Sequence, residues 1–126
     1  MSYISTSDIT DKIADGFDVT PYLYEADQAI EDIAERVGVR ESDSIETDPL
    51  HYKLRRYGVV YTLMRLCQDK IGGASTEVPE LNKYLISYEM YRKELASLTD
   101  EVNYQVVTGS VNAIRDRAAS VEVWRG

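Results

Sequence analysis

Apolar residues recur three and four positions apart between residues 20 and 37, which predicts an amphipathic helix with one face toward a core. Thr20 suits the N-cap position before Pro21, whose fixed φ and missing N–H suit the first helical position. Gly38 provides a left-handed stop. The predicted inward face consists of Leu23, Ala26, Ile30, Ile33 and Val37.

The same signals predict a second helix of about 22 residues, roughly 33 Å long. Asp48 is its expected N-cap, Pro49 its first residue, and Gly72 with Gly73 its end. Its apolar residues cover more than half of the circumference, which indicates a central helix packed on two sides. They are Leu50, Leu54, Tyr57, Val60, Tyr61, Leu63, Met64, Cys67 and Ile71.

A third helix is predicted from Pro79 to about Leu98. Its expected inward face consists of Leu81, Leu85, Tyr88, Leu95 and Leu98. A shorter helix is expected over residues 5–14, ended by Gly16.

The pattern changes after residue 100. Val102, Tyr104 and Val106 alternate with polar neighbours, which predicts a strand or an extended arm, while residues 111–121 fit either a helix or a strand. We therefore expect a mainly α fold: a small bundle of three to four helices with an extended or β-type C-terminal arm. Residues 1–100 form the predicted helical body and residues 101–126 the predicted C-terminal arm.

Length and composition narrow the class of protein. A chain of 126 residues suggests one domain. Its single Cys excludes an intrachain disulfide, which is typical of a reducing compartment or of a particle assembled inside a cell. Asp8 and Asp11 interrupt the N-terminal segment before a secretory h-region could develop, and no apolar run reaches the roughly 20 residues of a membrane span. We expect a chain without membrane segments.

The residues offer little catalytic or metal chemistry. His51 is the only imidazole, and Cys67 lies on an apolar helix face, so we interpret them as an ordinary first-turn residue and an inert buried thiol. Structural zinc needs about four Cys or His ligands, and the chain has two such residues. The acidic loop 41–48 lacks the oxygen spacing and the Gly of a calcium loop. We predict no catalytic residues, no metal and no cofactor.

The net charge of −8 is unevenly distributed. Residues 1–48 contain 13 acids and 3 bases, a net −10, whereas residues 49–71 contain 5 bases and 1 acid, a net +4. Asp27, Glu31 and Glu35 form an acidic stripe on the first long helix. The stripe is either a solvated outer face, or a lining past which a polyanion slides, or a surface that meets basic residues of a neighbouring copy. Those basic candidates are Lys53, Arg55, Arg56 and Arg65.

The chain has ten Tyr and one Phe, so its buried rings tend to keep a hydroxyl near water or an acceptor. Tyr84, Tyr88 and Tyr91 are spaced i, i+4, i+7 on the third helix. Tyr at such positions is enriched in protein interfaces, which makes these rings candidates for a subunit contact. The alternative is that they seal the edge of the monomer core.

The order of these elements resembles a known family. A short N-terminal segment (residues 3–9) leads to an acidic helix (24–34), then to a Pro-initiated helix (48–57), a further helix and a tail of different character. This layout, over roughly residues 3–98, looks like that of the head–tail connector, or adaptor (head-completion), proteins of tailed bacteriophages.

The resemblance implies a non-enzymatic virion protein, made in the host cytoplasm and placed in the neck. It implies a ring, typically twelvefold, between the portal protein and a downstream neck or tail protein. DNA would pass through without specific binding, and a C-terminal segment would dock onto the neighbouring ring. The candidate docking residues here are Val102, Tyr104, Val106, Val123, Trp124 and Arg125.

A function of another class stays open from the sequence. The chain would then be a small cytoplasmic regulator that presents its Tyr-bearing third helix to one protein partner, as a monomer or a dimer.

Overall fold

Three long helices follow the hydrophobic pattern in the computed structural model, which describes residues 3–39, 44–72 and 78–109. A fourth, short helix follows them, so the prediction of a small, mainly helical bundle is confirmed. The helices are α1 (Thr20–Arg36), α2 (Tyr52–Gly72), α3 (Val78–Glu101) and α4 (Tyr104–Thr108).

α2 is the central helix, as its wide apolar surface predicted. α1 and α3 both pack on α2, and neither packs extensively on the other. Arg65 near the end of α2 pairs with Glu25 near the start of α1. Arg56 near the start of α2 pairs with Glu94 toward the end of α3. Successive helices are therefore antiparallel, and α1 and α3 flank α2.

Gly58 allows α1 and the N-terminal segment to approach α2 closely. A Cβ atom at this position would lie 2.9 Å from Cδ1 of Ile30 and 3.2 Å from Cγ2 of Ile4. Both Ile side chains are buried at this contact. Next to it, the buried Thr62 hydroxyl donates to the Gly58 carbonyl at 2.9 Å, so its polar atom is satisfied within the helix. The absence of a side chain at residue 58 thus determines how closely three segments pack.

The predicted start of α2 at Asp48 and Pro49 is wrong. These residues lie in a turn with a cis peptide between them, where Thr47 and Leu50 pair across an isolated bridge. The Asp48 N–H donates to the Glu46 carboxylate at 2.9 Å, which stabilises the turn. The helix begins at Tyr52 instead.

The N-terminal segment is not the single short helix that we predicted over residues 5–14. It forms two 3₁₀ turns, Thr6–Asp8 and Lys12–Ala14. The Ser5 N–H donates to the Asp8 carboxylate at 2.8 Å, which closes the first turn locally. Ile9 then adopts an extended conformation and ends it. Short-range capping by Asp8 therefore competes with a continuous helix.

The inward face of α3 differs from the prediction. Leu98 is buried as expected, but Leu85 is 41% exposed, and Tyr84 and Tyr91 take the inward positions. Tyr88 and Leu95 are half-buried beside them. The larger Tyr rings remove more surface from water than Leu85 would, which favours the register that buries them. The side chain of Leu81 lies outside the described residues.

The strand or extended arm predicted at residues 102–107 is wrong. Asn103 caps α4 by accepting a hydrogen bond from the Val106 N–H at 2.9 Å, and Gly109 ends the helix at φ 66°. Val102, Val106 and Val107 are buried in the core. The body therefore continues past the predicted boundary at residue 100 to at least Gly109. Residues 110–126, including the ambiguous segment 111–121, lie outside the described residues.

Candidate functional site

The acidic stripe of α1 holds the N-terminal segment in place. The Tyr3 N–H donates to Asp27 at 2.8 Å, and the Tyr3 hydroxyl donates to Glu31 at 2.9 Å. Burial raises the pKa of Tyr3 to about 12, together with the hydrogen bond to Glu31 and the charges of both carboxylates. Glu35, the third acid of the stripe, is exposed. Two of the three acids thus have partners within their own chain.

Two of the four basic candidates on α2 are also paired internally. Arg56 bridges Asp11, at 3.1 Å, and Glu94, at 2.6 Å. Arg65 pairs with Glu25 at 2.9 Å and more loosely with Asp69. Because these cations already neutralise acids of their own chain, the predicted contact between the acidic stripe and a neighbour's α2 loses half of its basic residues. This correction could not come from the sequence, since the pairs span 38 to 45 residues.

Lys53 and Arg55 lie at the start of α2, beside its N-cap. The Arg55 guanidinium donates to the Leu50 carbonyl at 3.2 Å. Within the described part of the chain, neither side chain forms an ion pair within 4 Å. They remain available to a partner but form a small group at one helix end.

His51 is the N-cap of α2 and not a residue of its first turn. Its Nδ1 accepts a hydrogen bond from the Lys53 N–H at 3.1 Å, and its carbonyl accepts the first helical bond from the Arg55 N–H. The ring also stacks on Tyr52, with 4.7 Å between centroids. The imidazole therefore has a structural role here, as the acceptor at the start of the helix.

The Tyr rings of α3 belong to the monomer core. Tyr84 is buried, and Tyr91 is 3% exposed with its hydroxyl donating to Asp11 at 3.0 Å. Burial and the nearby Asp11 charge raise the pKa of Tyr91 above its usual range. Rings with so little free surface offer almost nothing to a second subunit. The alternative that these rings seal the core edge is therefore supported at Tyr84 and Tyr91, whereas Tyr88 keeps part of its surface exposed.

The proposed docking residues divide into two groups. Val102 and Val106 are buried in the body, and Tyr104 is half-buried against it. They could reach a portal only if α4 left the core. Val123, Trp124 and Arg125 lie outside the described residues, so the arm prediction now concerns these three alone.

An exposed apolar patch on α3 escaped the sequence analysis. Ile86 is 71% exposed and Met90 is 53% exposed, and Leu85, the residue before Ile86, is 41% exposed. We call these three residues the α3 patch. They lie on the side of the helix away from Tyr84 and Tyr91, and the exposed cations Lys83, Arg92 and Lys93 surround them. The spacing of Ile86 and Met90, i and i+4, was the available signal, but the prediction had assigned Leu85 to the core.

An open groove of about 350 Å³ lies between α1 and α2. We call it the α1–α2 groove. Tyr57 and Tyr61 of α2 line one side, and Gln28 and Asp32 of α1 line the other. Tyr24, which is 77% exposed, stands at its edge. The groove combines aromatic and apolar surface with the carboxylates of Glu25 and Asp32 and the guanidinium of Arg36, a lining suited to an apolar side chain from a partner.

Cys67 is buried, as predicted, and desolvation raises the pKa of its thiol to about 11, which disfavours the reactive thiolate. Among residues 3–39, 44–72 and 78–109, no group of three or more His, Cys, Asp or Glu side chains is arranged to hold a metal ion. None of the helices described is long and apolar enough to span a bilayer.

Comparison with known proteins found no matching family model, no matching curated protein and no matching solved structure. Any function proposed for this chain accordingly rests on its sequence and on the geometry of its described residues.

Proposed function

We propose that this chain is a non-enzymatic structural adaptor of a bacteriophage neck. Its copies form a ring that joins the portal protein to a downstream neck or tail protein. The order of elements supports this proposal: an N-terminal segment, an acidic helix, a long central helix and a third helix follow one another along the chain. The resemblance to adaptor proteins rests on this order, but the N-terminal segment forms two 3₁₀ turns and the central helix begins at Tyr52 and not at Pro49.

The observation that carries the proposal is the difference between the two flanking helices. α1 contains five acids and one base, a net −4, and lies on one side of α2. α3 lies against another side of α2 and exposes the α3 patch among cations. A closed ring needs two different, complementary surfaces on each subunit, and these two faces meet that requirement.

The charge supports a role at a DNA channel. Each chain has a net charge of −8, and a ring multiplies that charge. A strongly negative ring repels phosphates and does not bind them, so DNA passes without adhering to the wall. We place the ring in the virion neck on this basis and on the resemblance.

The docking arm remains part of the proposal in a shorter form. Val102 and Val106 stabilise the body, so attachment to the next ring falls to the segment beyond Gly109. Val123, Trp124 and Arg125 offer apolar anchors and a cation that suit a groove or sheet edge of the portal protein.

The second candidate function is a small cytoplasmic regulator that acts as a monomer or a dimer. The observation that favours it is the α3 patch, because one exposed apolar helix face is sufficient to bind a single partner protein.

Sedimentation velocity discriminates between the two functions. The full chain is run alone and with the portal protein encoded in the same genome, beside a chain that ends at Gly109. An adaptor gives a complex of many copies per portal, and the shortened chain does not join it. A stable dimer that ignores the portal at every ionic strength supports the regulator and contradicts the adaptor.

A further inference from the structure

The α3 patch is an unusual feature of a body whose other large apolar side chains mostly lie inside. Ile86 and Met90 are one helical turn apart on one side of α3, whereas Leu85 is exposed on an adjoining side of the helix. Covering exposed apolar side chains lowers the free energy of the system, so groups of them mark contact sites. The patch belongs to a helix whose opposite side is held by Tyr84 and Tyr91, so its position is well defined.

The α1–α2 groove has an aromatic and apolar lining that suits the apolar side chains of the α3 patch. Tyr57 and Tyr61 form an aromatic wall, and Ala29 and Ile33 add apolar surface between them and the acids. Tyr24 stands exposed at the edge, where its ring can cover a side chain that enters. A thioether next to an aromatic ring is a favourable contact, and Met90 is the flexible member of the α3 patch.

Charge determines which partner suits each surface. α3 as a whole contains three cations and five acids, a net −2, but residues 82–93 around the α3 patch contain three cations and one carboxylate, a net +2. α1 has a net −4, and its residues at the groove include Asp32, the Arg65-paired Glu25 and the cation Arg36. The two surfaces of one chain therefore attract each other between copies, and Asp32 lies at the groove where Lys83 or Lys93 would arrive.

The alternative pairing of two α3 patches is unfavourable. It would bring one +2 surface against another, and the contact would leave the α1–α2 groove of both copies open. The groove and the patch lie on helices that flank α2, so one chain cannot satisfy its own groove. The contact has to run from one copy to the next.

We propose that the α3 patch of one chain inserts into the α1–α2 groove of a second copy of the same chain. The contact is head-to-tail, with Ile86 and Met90 against Tyr57, Tyr61 and Tyr24, and it repeats from subunit to subunit. This inference rests on the proposed adaptor function, from which it takes the ring. It adds the two surfaces that form the subunit interface.

Cross-linking between two variants that each gain one exposed Cys tests the contact. Asn82→Cys lies one turn from Ile86, and Gln28→Cys lies in the groove, and both positions are exposed. Cys67 is buried, so we expect the reagent to reach it far more slowly than it reaches the two exposed positions. A mixture of the two variants is treated with a short bismaleimide over a range of protein concentrations. Ser97→Cys, exposed on the same side of α3 three turns beyond Ile86, replaces Asn82→Cys in the control mixture.

The proposal predicts that the Asn82→Cys and Gln28→Cys mixture gives several-fold more cross-linked dimer than the control mixture. Each variant alone gives little, and a chain with both changes gives a ladder of oligomers. Adding Ile86→Ser and Met90→Ser to the Asn82→Cys chain lowers the yield several-fold, while far-ultraviolet circular dichroism keeps its helical signal because both residues are exposed. A yield equal to that of the control, or a dominant dimer of the Asn82→Cys chain alone, overturns the proposal.

The same reactions separate this contact from the proposed function. A specific cross-link in a chain that never binds the portal supports the contact between copies and contradicts the adaptor function. If rings form on the portal but give no cross-link between residues 82 and 28, the proposed contact is contradicted and the adaptor function is supported.

Discussion

The guanidinium of Arg56 donates two hydrogen bonds to the carboxylate of Glu94, with N···O distances of 2.6 and 3.0 Å. The same guanidinium reaches Asp11, which also accepts from the Tyr91 hydroxyl. Three segments, the N-terminal turns, α2 and α3, therefore meet at one cation. Arg56 is a residue of the monomer, and its bidentate geometry accounts for the choice of Arg over Lys.

Replacing Arg56 with Met should lower the free energy of unfolding by about 1–2 kcal/mol, because two partly exposed carboxylates lose a shared partner. The free energy of unfolding of Arg56→Lys should lie between those of the unchanged chain and Arg56→Met, because Lys keeps the charge but loses the paired hydrogen bonds. Urea unfolding followed by circular dichroism measures both. Arg92→Met removes an exposed pair within α3 and should cause no measurable change. If Arg56→Met instead weakened self-association with full stability, Arg56 would belong to an interface after all.

Gly58→Ala should destabilise the fold by about 1–2 kcal/mol, since overpacking against Ile30 exceeds the gain in helix propensity. Ile30→Val removes the Cδ1 atom that the new methyl group meets. The double variant should therefore lose less free energy of unfolding than the sum of the losses in the two single variants. Gly72→Ala is the matched control, because no atom lies within 4 Å of a Cβ there. Additive effects in the double variant would show that this close approach is not what requires Gly58.

His51→Ala should lower the free energy of unfolding by about 1 kcal/mol, the usual cost of removing an N-cap acceptor. His51→Asn should recover most of that loss, because its side-chain oxygen can accept from the same Lys53 N–H. Thermal unfolding of the three chains measures the differences. Equal losses for Ala and Asn would contradict the capping role and would direct attention to the ring contact with Tyr52.

Alkaline pH should destabilise the protein through two partly buried phenols, Tyr3 and Tyr22. Burial, supported by hydrogen bonds to Glu31 and Asp69, raises the pKa of Tyr3 and of Tyr22 to about 12 from a usual value of 10.0. Their contribution to stability is complete below pH 10 and is lost as the pH rises from 10 to 12, because the unfolded chain releases these protons first. Urea midpoints should fall over this range. A chain with Tyr3→Phe and Tyr22→Phe should show a shallower fall, and identical slopes would contradict the assignment.

The sequence predicted the helical elements better than their ends. Periodicity identified α1 and the central position of α2, since both depend on apolar residues that repeat over many turns. The predicted start of α2 was wrong because Asp48 and Pro49 match the usual sequence of a helix N-terminus. In the structure they form a turn, in which the Asp48 N–H donates to the Glu46 carboxylate. α4 was mistaken for a strand because Val102, Tyr104 and Val106 alternate over too few residues to distinguish the two periods.

The candidate surface was harder to predict, because pairing across 40 residues leaves no local signal. Arg56 and Arg65 look free in the sequence, yet each meets an acid from another helix. The shift of the inward face of α3 to Tyr84 and Tyr91 also exposed Ile86 and Met90, which changed the predicted contact. Within one chain, Glu25 of α1 pairs with Arg65 of α2. In the proposed contact between copies, α1 instead meets the cations around the α3 patch of the next chain.

Electron microscopy of the full chain mixed with the portal protein from the same genome tests the central claim most directly. The account predicts a ring of this protein on the portal, in which the α3 patch of each subunit lies in the α1–α2 groove of the next. Images that show bare portals at every ionic strength and protein concentration would contradict it.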